Sequence, residues 1–197
     1  MGKALLKPCD FTVASGKMLL VAGPNGAGKS TLLRMAAGVW PATTGRVVRA
    51  KRIAWVPDGI DGFAWLTIRE WGLAWVPNEA KLKSIWEKLE ILSQVSKPLG
   101  KCSRGTRQKA LLSPFLAVPP DLLILDEPVA TLDPSSGQAV LKLLRGLGCA
   151  VVFSCHLGRV APGLADDYLI LHDGDILARG SAVGGLDVEA IYLELGL

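Results

Sequence analysis

Apolar residues along the chain fall into two kinds of run, and the kind decides the element. Leu122 to Leu125 and Ala150 to Phe153 are wholly apolar and of strand length, and Met18 to Ala22 is a third apolar, β-rich run. Strands without polar alternation are those buried on both faces. Between them the period lengthens. Lys29 to about Ala37, Trp65 to Trp75, Glu79 to Leu92, Ser103 to Ala117 and Ser135 to Leu144 read as helices, with Pro77 separating the second from the third. Within Glu79 to Leu92, Leu82, Ile85, Trp86, Leu89 and Leu92 share one face, which leaves Lys81, Lys83, Glu87, Lys88 and Glu90 for solvent. Such alternation predicts an α/β fold with a mostly parallel sheet covered by helices. Shorter β-rich runs, Phe11 to Val13, Gly45 to Ala50 and Arg52 to Val56, predict further strands. Tyr168 to Leu171 and Asp175 to Arg179 flank the turn His172-Asp173-Gly174, and Val188 to Leu195 predicts a closing helix.

Length and composition bound what this fold can do. At 197 residues the chain suffices for one well-buried domain, residues 1–197, and is too short for two full-sized ones. Residues 59–102 read as a helical insertion within it. Half the residues are hydrophobic and 20% are charged, so the chain can bury enough surface to fold. The net charge of +4 comes from Lys and Arg spread along the sequence, and no nucleic-acid partner is expected from it. Cys9, Cys102, Cys149 and Cys155 form no CxxC pair and no disulfide framework, which fits free thiols in a reducing compartment. No apolar run approaches the roughly 20 residues that cross a bilayer. Any membrane role therefore needs a partner chain.

The chemistry concentrates first at Gly23-Pro24-Asn25-Gly26-Ala27-Gly28-Lys29-Ser30-Thr31, placed between a strand and a helix. It fills every fixed position of the phosphate-gripping pattern G-x-x-x-x-G-K-[ST]. Glycines let backbone N–H groups turn inward around phosphate oxygens and then feed into a helix N-terminus of partial positive charge. Lys29 reaches the β- and γ-phosphates of ATP as a point charge, and the Ser30 hydroxyl coordinates the bridging Mg²⁺. The bland alternative, a glycine-rich tight turn, does not call for lysine and serine there.

A second site follows from Leu122-Leu123-Ile124-Leu125-Asp126-Glu127, where two carboxylates stand at the C-terminal end of a buried strand. Open α/β sheets place ligands at that edge. Asp126 would hold Mg²⁺ through its water shell, and Glu127 would orient and polarise the water attacking the γ-phosphate. Taken alone, the pair could simply begin a loop.

With both segments in place the sequence resembles the ATP-binding subunits of ATP-binding cassette (ABC) transporters over nearly its whole length. Gly23 to Thr31 is similar to the Walker A motif of that family, and Leu122 to Glu127 to its Walker B strand with the catalytic glutamate. Ala130-Thr131-Leu132-Asp133 resembles the D-loop, and Phe153-Ser154-Cys155-His156 the strand that ends in the switch histidine. Cys102-Ser103-Arg104-Gly105-Thr106-Arg107-Gln108-Lys109 resembles the family signature. Ser103 is a good N-cap, Gly105 admits an anion close to the backbone, and the helix dipole favours negative charge there. The resemblance implies two copies arranged head to tail, with Ser103 and Gly105 of each closing over the ATP of the other. It also implies that His156 contacts the γ-phosphate, that a separate transmembrane permease is the partner, and that the chain sits peripherally on the cytoplasmic face of the membrane.

Several positions depart from the family pattern, and Gly45 to Trp55 would make only a small, shortened form of the antiparallel β subdomain that the resemblance implies. Asp58 follows Val56-Pro57 where a glutamine or glutamate is usual as a Mg²⁺ contact. Arg104 stands for a glycine of the signature, a variant similar to export-type subunits, so an export-type role is the expectation. No residue from Met1 to Pro8 is aromatic, and Phe11 aligns with a core position, so the aromatic that the family stacks on adenine has no counterpart. All six tryptophans fall between Trp40 and Trp86, around the region that receives the membrane subunit in transporters. Ordinary packing of a small subdomain is the favoured explanation, whereas aromatic anchors at an interface would make Trp65, Trp71 or Trp75 part of a docking groove. Two other functions remain open at this point: a soluble ABC ATPase that remodels a macromolecular complex, and a nucleotide-dependent switch without hydrolysis, which Asp58 and the missing aromatic make conceivable and Glu127 with His156 oppose.

Overall fold

The computed structural model describes residues 6–59, 62–155, 165–182 and 188–194. The apolar runs become strands β1 (Met18–Ala22), β3 (Leu122–Leu125) and β4 (Ala150–Cys155), joined by β2 (Ile53–Val56), β5 (Asp167–His172) and β6 (Asp175–Ser181). They form one six-stranded sheet in the order β2-β3-β4-β1-β5-β6, parallel except for the β5–β6 hairpin. Every residue of β1 and β4 is buried. Alternate side chains serve opposite faces, as the strand period requires. Met18, Leu20 and Ala22 join Leu123, Leu125, Val151 and Phe153 in one core, while Leu19 and Val21 join Ile124, Val152 and Leu32 and Leu33 of the first helix in the other. Each fully buried Leu or Phe contributes about 1.5–3 kcal/mol relative to exposure.

Helices α1 (Lys29–Ala37), α2 (Ile68–Trp75), α3 (Glu79–Lys88), α4 (Arg104–Ala117), α5 (Pro134–Arg145) and α6 (Val188–Glu194) complete the described fold. The second helix starts three residues later than its apolar pattern suggests. A capping box at Thr67 and Glu70 sets that start: Thr67 Oγ1 accepts the Glu70 N–H, and Glu70 Oε2 accepts the Thr67 N–H. The third helix ends at Lys88 rather than Leu92, because Glu90 takes a left-handed φ of 60° and turns the chain away. Its expected face holds: Leu82, Trp86 and Leu89 are buried, and the five charged residues are exposed.

Two expected strands do not form. Residues 11–13 and 45–50 carry no strand ladder, and among the described residues antiparallel pairing is confined to β5–β6 and an isolated bridge between Thr67 and Pro98. The reason for residues 45–50 is visible in Arg49, whose guanidinium donates to Met35 O and Ala36 O at the end of α1. The segment is held by a side chain on a helix terminus, not by a neighbouring strand, and strand propensity without a partner makes no sheet.

A buried carboxylate fastens the end of the sheet opposite the phosphate loop. Asp166 accepts from the Met18 N–H (2.9 Å), from Lys17 Nζ (3.2 Å) and from Arg145 Nη2 (3.1 Å). Burial alone pushes its carboxyl up, but the Met18 amide, Lys17 and Arg145 outweigh it and hold the group below its ordinary value. A depressed folded-state value stabilises the fold above the unfolded carboxylate pKa of about 3.9, and that contribution disappears as pH falls through the folded value. Asp166→Asn is expected to cost about 1–3 kcal/mol at neutral pH and to flatten the acid limb of stability below about pH 4. Urea unfolding of both proteins across pH checks this, and parallel acid limbs would refute it.

Candidate functional site

At the end of β1 the backbone of Gly23 passes so close to β5 that a Cβ there would lie 2.4 Å from Leu171 O. Only glycine fits that approach. The loop beyond it is pinned by Ala27, whose N–H donates to Pro24 O (3.3 Å) and whose carbonyl accepts the Gly174 N–H (3.1 Å) from the β5–β6 turn. Pro24 is half-buried, and Asn25 and Gly26 are exposed. Gly28, at φ 104°, delivers the chain into α1.

The start of α1 differs from those of its neighbours. Thr67, Asn78, Ser103 and Asp133 each accept a first-turn N–H of α2, α3, α4 and α5. The cap position of α1 is Gly28, and no side chain caps it. Uncapped first-turn donors and the positive end of the helix dipole together make an anion site. The Lys29 ammonium lies over this loop, donating to Gly23 O (2.8 Å) and Pro24 O (3.0 Å), and only 6% of the residue is exposed. Burial pushes its pKa down against Glu127, Asp126 and Cys155, which draw it up. Ser30 and Thr31 place half-buried hydroxyls on the same turn.

The sheet order puts β4 between β1 and β3, so the carboxylates after β3 stand one strand away from the loop. Asp126 is buried, its N–H donates to Val56 O (2.9 Å), and its Oδ1 accepts from Ser154 Oγ (2.6 Å). Glu127 is half-buried with φ 51°, a left-handed conformation uncommon outside glycine. Its N–H donates to Ser154 Oγ (2.9 Å). The phosphate loop, Lys29, Ser30, Thr31, Asp126 and Glu127 thus share one edge of the sheet. Asp58 is exposed on that edge, two residues beyond β2. His156 lies outside the described residues.

The signature segment is elsewhere. Ser103 caps α4, accepting the Thr106 N–H (3.1 Å), and Gly105 packs against Leu132 and the Thr131 carbonyl. With Glu90, Arg104, Lys109 and Asp133 these residues line an open cleft of about 410 Å³ that includes neither the phosphate loop nor Asp126 and Glu127. The Asp133 carboxyl is held well below the usual range by the Ser135 hydroxyl and by the amide and hydroxyl of Ser136. The phosphate loop and the signature segment therefore stand apart within one chain.

Sequence reasoning assigned no role to Ser154, Leu171 or Gly174. A serine at the end of an apolar strand was the available signal for the first; the other two act through backbone and left none. The donors also bear on Mg²⁺. Among the described residues no three His, Cys, Asp or Glu side chains gather to cage a metal. An oxygen-only pair, the Ser30 hydroxyl and the Asp126 carboxylate, beside a phosphate loop fits a cation that takes its remaining ligands from substrate phosphates and water.

Residues 6–130 match the family model for ABC transporters. The chain belongs to the ABC transporter family. It is an ATPase cassette of that family, and 33% identity over 189 residues relates it to the zinc import ATP-binding protein of Halorhodospira halophila, covering 91% of this chain and 73% of that protein. Among solved structures, the ATP-binding subunit of an ABC transporter superposes with a TM-score of 0.84 at 24% identity, over 98% of this chain and 93% of the other. A dimeric bacterial ABC transporter cassette superposes with a TM-score of 0.80 at 21% identity, over 93% and 94%. The zinc relative is named for import, so the export expectation drawn from Arg104 gains no support from it. No described helix of the cassette is long and apolar enough to cross a membrane.

Proposed function

We propose that residues 1–197 form a single cassette, with 59–102 its helical part, that hydrolyses Mg-ATP between two head-to-tail copies and drives a separate transmembrane permease from the cytoplasmic face. The observation that carries this reading is the uncapped start of α1 beneath Lys29, facing Asp126 and Glu127 across β4. Gly23 to Thr31 hold the triphosphate, and Lys29 exchanges its two loop carbonyls for phosphate oxygens. Ser30 and Asp126 hold Mg²⁺, with Asp58 on the same edge; bound there, the ion neutralises charge on the β- and γ-phosphates. Glu127 orients the attacking water, and His156 meets the γ-phosphate.

The separation of the signature cleft from the phosphate loop supports a composite site, since Ser103 and Gly105 of one copy are free to close over the nucleotide of another. The dimeric neighbour has the same fold. For the permease, Phe63, Trp71, Trp75 and Phe115 stack in sequence with ring centroids 5.7, 5.7 and 5.2 Å apart. Trp65 and Trp75 remain mostly exposed, 72% and 55%. Aromatic anchors of this kind suit a protein interface.

Mixing two inactive variants tests the composite site. Lys29→Ala and Gly105→Asp are each expected to lack hydrolysis alone. An equal mixture is expected to recover about a quarter of the parent rate, because half the dimers then hold one intact site. An active parent with no recovery in the mixture would remove the head-to-tail arrangement. In the same preparations, Trp75→Ala is expected to keep hydrolysis and lose co-purification with the permease; retained co-purification counts against the docking surface.

A further inference from the structure

Ser154 is fully buried at the end of a strand whose other residues, Ala150, Val151, Val152, Phe153 and Cys155, are apolar. A hydroxyl in such a place costs free energy unless it is bonded. Here it is bonded twice, donating to Asp126 Oδ1 at 2.6 Å and accepting the Glu127 N–H at 2.9 Å. The pairing Leu125↔Phe153 sets Asp126 beside Ser154, so the serine reaches both carboxylate residues at once.

We infer that Ser154 is a positioning residue for ATP hydrolysis, fixing the Asp126 carboxylate and the backbone of Glu127 relative to each other. The inference rests on the hydrolytic reading above. Two consecutive carboxylates on a strand end must point to different tasks: Asp126 is 4% exposed, and Glu127 is half-buried. The divergence is produced by the left-handed φ of 51° at Glu127, a conformation that side-chain-bearing residues adopt only when their surroundings hold them there. The Ser154 hydroxyl supplies that hold through the Glu127 amide. It also occupies one oxygen of Asp126, which fixes the plane of the carboxylate that Mg²⁺ would use. Its two bonds are directional and of opposite sense, so no apolar residue of similar size reproduces them. The two hydrogen bonds of Ser154 run to Asp126 and Glu127, whereas the phosphate loop is shaped by Leu171 of β5 and pinned by Gly174 of the β5–β6 turn. Loss of Ser154 should therefore damage the chemical step and its metal dependence while leaving the grip on nucleotide intact.

Ser154→Ala is expected to lower kcat for ATP hydrolysis about 10–100-fold, the range for partners that orient metal-site ligands. KM for ATP should stay within about twofold, since it is set by the loop. The Mg²⁺ concentration giving half-maximal rate should rise by about tenfold or more. A merely structural role would change thermal stability and spare kcat and the Mg²⁺ dependence. Ser154→Ala with the parent kcat and parent Mg²⁺ dependence would overturn the inference, and so would a raised KM at unchanged kcat. If the alanine variant does not fold, Ser154→Cys, close in size and a weak donor, is judged by the same split. A parent protein without hydrolysis refutes the hydrolytic reading itself, whereas an active parent with an equally active Ser154 variant refutes this inference alone.

Discussion

Glu127→Gln is expected to reduce steady-state ATP hydrolysis by about 10²–10⁴-fold, the contribution of a positioned general base, while ATP-bound dimers accumulate. Glutamine keeps the size and backbone of Glu127, so the Ser154 hydrogen bond to its amide survives. What disappears is the carboxylate proposed to orient and polarise the attacking water, the group that also draws the Lys29 pKa up. In the proposed reading nucleotide binding uses the loop, Lys29 and the start of α1, and every residue of these is kept in the variant. Light scattering with ATP and Mg²⁺ distinguishes the outcomes. Turnover within tenfold of the parent would place the base elsewhere, and lost turnover without dimers would separate hydrolysis from association.

The second large effect is expected at Gly23. In Gly23→Ala the added methyl would lie 2.4 Å from Leu171 O and 3.2 Å from Ala27 Cβ. The first atom belongs to a central strand of the sheet and cannot swing aside, so either β5 or the loop must shift. Overpacking of this kind costs about 1–3 kcal/mol, or a fall in Tm of about 3–10 °C for a chain of this size. The loss of function should be larger than the loss of stability, because the Gly23 carbonyl is also one of the two that hold Lys29. Nucleotide affinity is expected to fall at least about tenfold, a cost of about 1.4 kcal/mol. Gly26→Ala provides the contrast: its φ is 80°, but no atom lies within 4 Å of the added carbon. It should cost about 1 kcal/mol for the backbone conformation without displacing β5. Equal losses in the two variants, followed by thermal melts and nucleotide titration, would argue that loop flexibility matters and the contact with Leu171 does not.

Much of this site was legible in the sequence because its parts are local. The loop from Gly23 to Thr31 is one segment, Asp126 and Glu127 are adjacent, and the N-cap Ser103 acts on a residue three positions away. The wholly apolar strands announced a parallel sheet with both faces covered, and β3 and β4 lie where those runs stand. What stayed hidden depends on neighbours far along the chain. Ser154 meets Asp126 across 28 positions, through a strand register that apolar composition does not encode. Residues 45–50 have strand propensity, yet Arg49 ties that segment to the carbonyls of α1. The helix after Glu79 stops short because Glu90 turns left-handed, a conformation with no signal in a charged residue.

The sheet order also governs when the cassette can become competent during synthesis. Strand β1 and its phosphate loop are synthesised before both strands that flank β1, residues 150–155 and 167–172. Such distant pairings are slow to close and cannot begin until their partners exist. The carbonyl of Leu171, which shapes the loop, belongs to the second of these strands, and the amide of Gly174, which pins it, follows that strand. A nascent cassette is therefore expected to display its phosphate-loop motif before it can hold ATP, until the strands that flank β1 have inserted.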